Sequence, residues 1–144
     1  MPDQQAHSDR FAHSARWFLT GLFTLRIVAQ PLSLLVPGLP AFDTWHGSVM
    51  PYPVLLTSQL AILALMISVN IRLGQHHPLP RPGLARMLTL FGWVYFMGML
   101  VRLVVGQSID AAPAWFDRPL PSFFHLVLAT WVLIVGRSFA NHAH

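Results

Sequence analysis

Five polar side chains interrupt runs that are otherwise apolar: Arg26, Gln30, Gln59, Arg102 and His125. Two guanidiniums, two carboxamides and an imidazole form a set rich in hydrogen-bond donors. No acid accompanies them in those runs: the nine Lys-or-Arg positions are all Arg, the five Asp-or-Glu positions are all Asp, and there is no Cys. A guanidinium donates in planar pairs, which is why it is the preferred partner of phosphate and carboxylate. The set therefore suits an anionic or polar-headed lipophile, such as a lipid or a quinone, better than bond-breaking chemistry.

Several reaction classes lack their residues. Hydrolysis by paired carboxylates needs two acids near one bond, and none lies in an apolar run. Ser48, Ser58 or Ser122 could be combined with His46 and Asp43, but no Gly-x-Ser-x-Gly elbow supports a nucleophile. Zinc-protease and dinucleotide-glycine patterns are absent. Without Cys there are no disulfides and no thiolate nucleophiles or ligands. A proton relay would rest on His125 alone. The reading is of a binding protein, with no catalytic residue assigned. A redox alternative is a membrane haem held by His46 and His125, with Arg26 and Arg102 meeting its propionates; a lone intramembrane His is more often a packing residue. Net charge is +4, yet the Arg residues stand singly between apolar runs, which argues against a nucleic-acid partner.

The elements that must position these side chains follow from composition. The chain has 144 residues, 54% hydrophobic and 10% charged, with a mean hydropathy of +0.53; soluble domains carry roughly 25% charged residues. A bilayer-crossing helix needs about 20 mostly apolar residues. Four such stretches occur, at about Trp17–Val36, Val54–Ile71, Met87–Val105 and Phe123–Phe139. The expected fold is an all-α integral membrane protein, with four transmembrane helices in an up-down bundle over 17–139. A polar, loosely ordered N-terminal tail (1–16) and a short C-terminal tail (140–144) flank it. Most prolines fall between the runs or at their edges, where helix breakers belong. Pro31 is inside the first run and is expected to bend it. That run exceeds the roughly 7–15 apolar residues of a signal-peptide core, which favours a retained span.

Charge orients the expected bundle. Arg10, Arg16, Arg72, Arg81, Arg86 and Arg137 fall on one side, and only Arg118 falls in the opposite loops. The positive-inside rule then places both termini in the cytoplasm of a multi-pass plasma (inner) membrane protein. In that orientation Gln30, Gln59, Arg102 and His125 fall in the outer third of four different helices, and Arg26 lies near mid-depth. Tyr95, seven residues before Arg102, shares its side of the helix. These six residues are the candidate ligand-binding set.

Small-residue faces mark expected helix contacts: Thr57, Ala61, Ala64 and Ser68; Gly98 and Gly106 on either side of Arg102; and Ser122, His125, Ala129, Val132 and Gly136. Their number also allows an accessory or assembly subunit of a larger membrane complex, or a homo-oligomer. The longest outer loop, PGLPAFDTWHGSVMPYP, contains Asp43, Trp45, His46 and Tyr52. Asp43 is expected to cap a short helical turn that includes Thr44, Trp45 and His46 and lays the loop as a lid over the polar layer.

Overall fold

In the computed structural model, residues 2–46, 50–75, 82–108 and 119–141 are described. They form five helices: α1 (Pro2–Leu32), α2 (Phe42–Trp45), α3 (Tyr52–Gly74), α4 (Pro82–Ser108) and α5 (Pro119–Asn141). The described residues contain no β-strand beyond one isolated bridge between Pro37 and Leu39. Proline opens α4 and α5 and lies in the first turn of α3, where its missing N–H would have no helical acceptor anyway. Three helices, α3, α4 and α5, are long and apolar enough to cross a membrane.

The first helix departs from expectation at both ends. Its helical structure begins at Pro2, so the polar segment expected to be loosely ordered continues the helix. Arg16 ties this part of α1 into the assembly: its Nη1 donates to Ser138 Oγ of α5 at 2.7 Å. At the other end the helix stops at Leu32 instead of running to Val36. Pro31 cannot donate, and the chain unwinds through tighter turns, with Leu34 bonded to the Pro31 carbonyl and Leu35 to that of Leu32. Gly38, at φ +108°, then takes a backbone conformation that a side chain would resist. Arg16, Arg26, Gln30 and Pro31 also keep α1 below the apolar level of the other three long helices.

Side-chain pairs fix the directions of the helices. Arg16 meets Ser138 and Arg26 lies over Phe124, so α1 and α5 are antiparallel. Tyr95 meets His125, while Gly92 faces Leu133 and Gly136 faces Thr89, so α4 and α5 are antiparallel as well. The α4–α5 seam is tight. A Cβ on Gly92 would lie 2.8 Å from Leu133 Cδ2, and one on Gly136 would lie 2.7 Å from Thr89 Oγ1 and 3.0 Å from the Thr89 backbone nitrogen. Helices approach this closely in membranes when their facing residues are small. α3 leans on α1 and makes no extended contact with α4.

The core gathers Phe23 and Ile27 of α1, Met66 and Leu73 of α3, Ala85 of α4, and Trp131, Val135 and Phe139 of α5. A polar staple crosses it. Trp131 Nε1 donates to Asn70 Oδ1 at 3.1 Å, and Asn70 Nδ2 donates to Thr20 Oγ1 at 2.9 Å, which links α5, α3 and α1. The small-residue stripe on α3 is not a packing face: Thr57, Ala61, Ala64 and Ser68 are exposed, and the buried face is Leu55, Gln59, Met66, Asn70 and Leu73. The α5 face behaves as expected, with Ser122, Ala129 and Gly136 buried. Gly98 is exposed, and nothing stands within 4 Å of where its Cβ would be.

Candidate functional site

A cavity of about 380 Å³ lies where α1 and α4 near their ends and α3 and α5 begin. Its polar lining includes Arg26 of α1, Gln59 of α3, Tyr95 and Arg102 of α4, and His125 of α5. Five of the six candidate residues therefore share one space, and each long helix supplies at least one. The cavity size falls in the range typical of small-molecule pockets. Among the described residues no Asp borders it, so the described polar wall can donate widely.

Each polar side chain is held differently. Arg26 is 4% exposed; its Nη2 donates to the Trp45 carbonyl at 3.3 Å, and its guanidinium carbon stands 5.5 Å from the centre of the Phe124 ring. Its Nε is buried without a partner. The Tyr95 hydroxyl is 2.5 Å from His125 Nδ1. With the hydroxyl as donor, the imidazole is neutral and keeps its proton on Nε2. Arg102 is buried beside them on α4. Gln59 is 3% exposed, and neither its amide nitrogen nor its amide oxygen has a hydrogen-bond partner. A buried amide left unmatched costs about 1–3 kcal/mol.

Gln30, the sixth candidate, does not line this cavity. It is 1% exposed, and both of its amide atoms also lack partners. One helical turn separates it from Arg26, but this end of α1 unwinds beyond Pro31.

The lid residues divide into two groups. Trp45 is buried against Phe124, with ring centres 6.1 Å apart, and its Nε1 donates to the Pro40 carbonyl at 3.0 Å. Ala29 completes this small second cluster. Trp45 thus seats the short α2 on the mouth of the helices and presents its carbonyl to Arg26. Asp43 does not cap that helix as expected: the helix opens at Phe42, the cap position falls on Ala41, whose side chain has no hydrogen-bonding group, and Asp43 sits inside the first turn. Phe42 packs edge-on against Tyr52 at 4.9 Å and stacks on His46 at 6.3 Å, which gathers Tyr52 and His46 on the far side of the loop.

His46 Nε2 lies 2.8 Å from the Met50 carbonyl, and His46 does not border the cavity. The two imidazoles of the haem alternative are therefore not presented to one space. Among the described residues, no group of three His, Cys, Asp or Glu side chains could hold a metal ion. His76, His77, His142 and His144 lie outside the described residues.

Met50, Ser58 and Met99 also line the cavity; sequence reasoning did not single out the staple formed by Thr20, Asn70 and Trp131. A signal for Asn70 was present: it falls eleven residues after Gln59, three helical turns along the same face. Comparisons with protein-family models, curated proteins and solved structures found no match.

Proposed function

We propose that this chain is a multi-pass protein of the plasma (inner) membrane that binds a polar-headed or anionic lipophile, a lipid, quinone or similar molecule, in the cavity beneath α2. In this reading α1, α3, α4 and α5 form a four-helix transmembrane bundle with both termini cytoplasmic. Support for a membrane setting comes from three apolar helices and from the apolar side chains that α4 exposes, including Leu90, Phe91, Val94, Met97 and Val101. α1 crosses with its polar residues turned inward: Arg16, Thr20, Arg26 and Gln30 are buried, while Phe18, Leu25 and Val28 are exposed. Intramembrane charges face the interior for this reason.

The binding role is carried by one observation. Two guanidiniums, a phenol, an imidazole and an amide with both atoms unmatched border the same cavity, and no acid does among the described residues. A ligand head with several acceptor oxygens would meet these donors, while its hydrocarbon would lie along Leu55, Ile62 and Leu128. Arg102 is assigned the main charge contact, Arg26 the second, and Gln59 and His125 the neutral bonds.

The test is purification of wild-type protein and Arg102→Gln in the same mild detergent, followed by extraction and mass spectrometry of bound small molecules. The wild type is expected to carry a lipophile that Arg102→Gln loses. Equal ligand content in the two preparations overturns the proposal. An absorption spectrum of the wild type, taken first, identifies a quinone or haem if either is the occupant.

A further inference from the structure

A second cavity, of about 430 Å³, lies at the opposite end of the helices, between the polar part of α1 and the closing turns of α3 and α5. Arg10, His13, Ser14 and Arg16 border it from α1, Gly74 from α3 and Ser138 from α5. Arg16 is its anchor. Only 5% of this residue is exposed; its Nη1 is bonded to Ser138 Oγ, and its Nε is buried with no hydrogen-bond partner. A guanidinium has five N–H donors, and burying one unmatched is costly. Arg10 adds a second positive charge and Ser14 a hydroxyl, while His13 Nε2 is occupied by the Trp17 indole at 3.3 Å. Asp9 also borders the space, which leaves the two Arg residues in excess by one charge. Trp17 marks the start of the apolar part of α1, so the cavity stands at the level of a membrane's polar boundary.

The geometry points to a phosphate-binding site here, with Arg16 and Arg10 as the charged partners and Ser14 as a neutral donor. Planar guanidiniums favour phosphate oxygens, and basic pockets between membrane helices suit phospholipid headgroups. The same chemistry would accept the headgroup of an anionic phospholipid or a soluble phosphate. Arg16 and Arg26 are ten residues apart, about 15 Å along α1, so this site is separate from the cavity beneath α2.

Full-length protein in phosphate-free neutral detergent would be titrated with inorganic phosphate and, separately, with phosphatidylglycerol and phosphatidylcholine. Native mass spectrometry reads the adducts. Preference for phosphatidylglycerol over phosphatidylcholine identifies a headgroup, and binding of inorganic phosphate identifies a soluble source; either supports the site. Arg16→Gln should weaken the adduct about fivefold, the effect of one arginine near an anionic headgroup. Because that change also removes the Ser138 bond, Gly74→Phe provides a second arm. A Cβ at Gly74 would lie an ordinary 3.6 Å from His13 Nε2, so the ring would grow into the cavity from an exposed position and displace the ligand. Binding of neither probe by the wild type, or undiminished binding by Gly74→Phe, overturns the proposal.

Discussion

The Asn70 carboxamide and the Trp131 indole, 61 residues apart in sequence, meet at 3.1 Å in the buried core. The same carboxamide donates to Thr20, so one side chain holds α3 to both α1 and α5. α3 otherwise leans chiefly on α1, which makes this residue the main polar tie between α3 and α5 among the described residues.

Replacing Asn70 by Leu keeps much of the volume and strands the indole N–H. Interhelical hydrogen bonds in membrane proteins are worth about 0.6 kcal/mol on average and up to about 1.7. Asn70→Leu is therefore expected to destabilise the protein by about 1–3 kcal/mol, the sum over its two bonds. Unfolding in mixed micelles of rising dodecyl sulfate content measures this. An unshifted midpoint would show that the staple adds no stability.

The glycines of α4 and α5 should respond unequally to an added methyl group. At Gly136 the new Cβ would press on Thr89 Oγ1 and the Thr89 backbone, so Ala must part the two helices, and at Gly92 it would press on the Leu133 side chain, which must shift. Overpacking of this kind costs about 1–3 kcal/mol. At Gly98 there is open space, and Ala is expected to be neutral or slightly stabilising, because it is the better helix former. Equal losses at all three positions would contradict the seam.

The absence of Cys allows a direct test of topology. Asp43 and Ser8 are exposed, and they lie on opposite sides of the apolar part of α1. In intact cells a membrane-impermeant maleimide should label Asp43→Cys and leave Ser8→Cys unlabelled until the cells are opened. Labelling of both residues in sealed cells would mean that α1 lies on the membrane without crossing it.

The level of each polar residue along the helix axis was legible in the sequence, because a fixed rise per residue converts position into depth. Arg26, Gln59, Tyr95, Arg102 and His125 meet in one cavity for that reason. What surrounds a residue at its level was harder to read. α3 is apolar on every side, so its small residues looked like a contact face, yet the buried face is the one carrying Gln59 and Asn70. In such a helix the informative mark is the rare polar side chain, which is costly in lipid and turns inward. Gln30 shows the other limit: it lies one turn beyond Arg26, but the unwinding after Pro31 sets its surroundings, and that depends on the loop folding back through Trp45. The polar N-terminal segment carried no apolar periodicity to announce a helix; it is held by Arg16 reaching α5, a contact between residues 122 positions apart.

α3 and α4 stand apart along the wall that borders the first cavity. In a bilayer such a seam opens sideways onto acyl chains, while Trp45 and α2 cover the end. An occupant arriving by that route never passes through bulk water. Its occupancy would follow its mole fraction within the leaflet, and titrations expressed as molar concentration in buffer would misjudge its affinity by whatever factor the membrane enriches it.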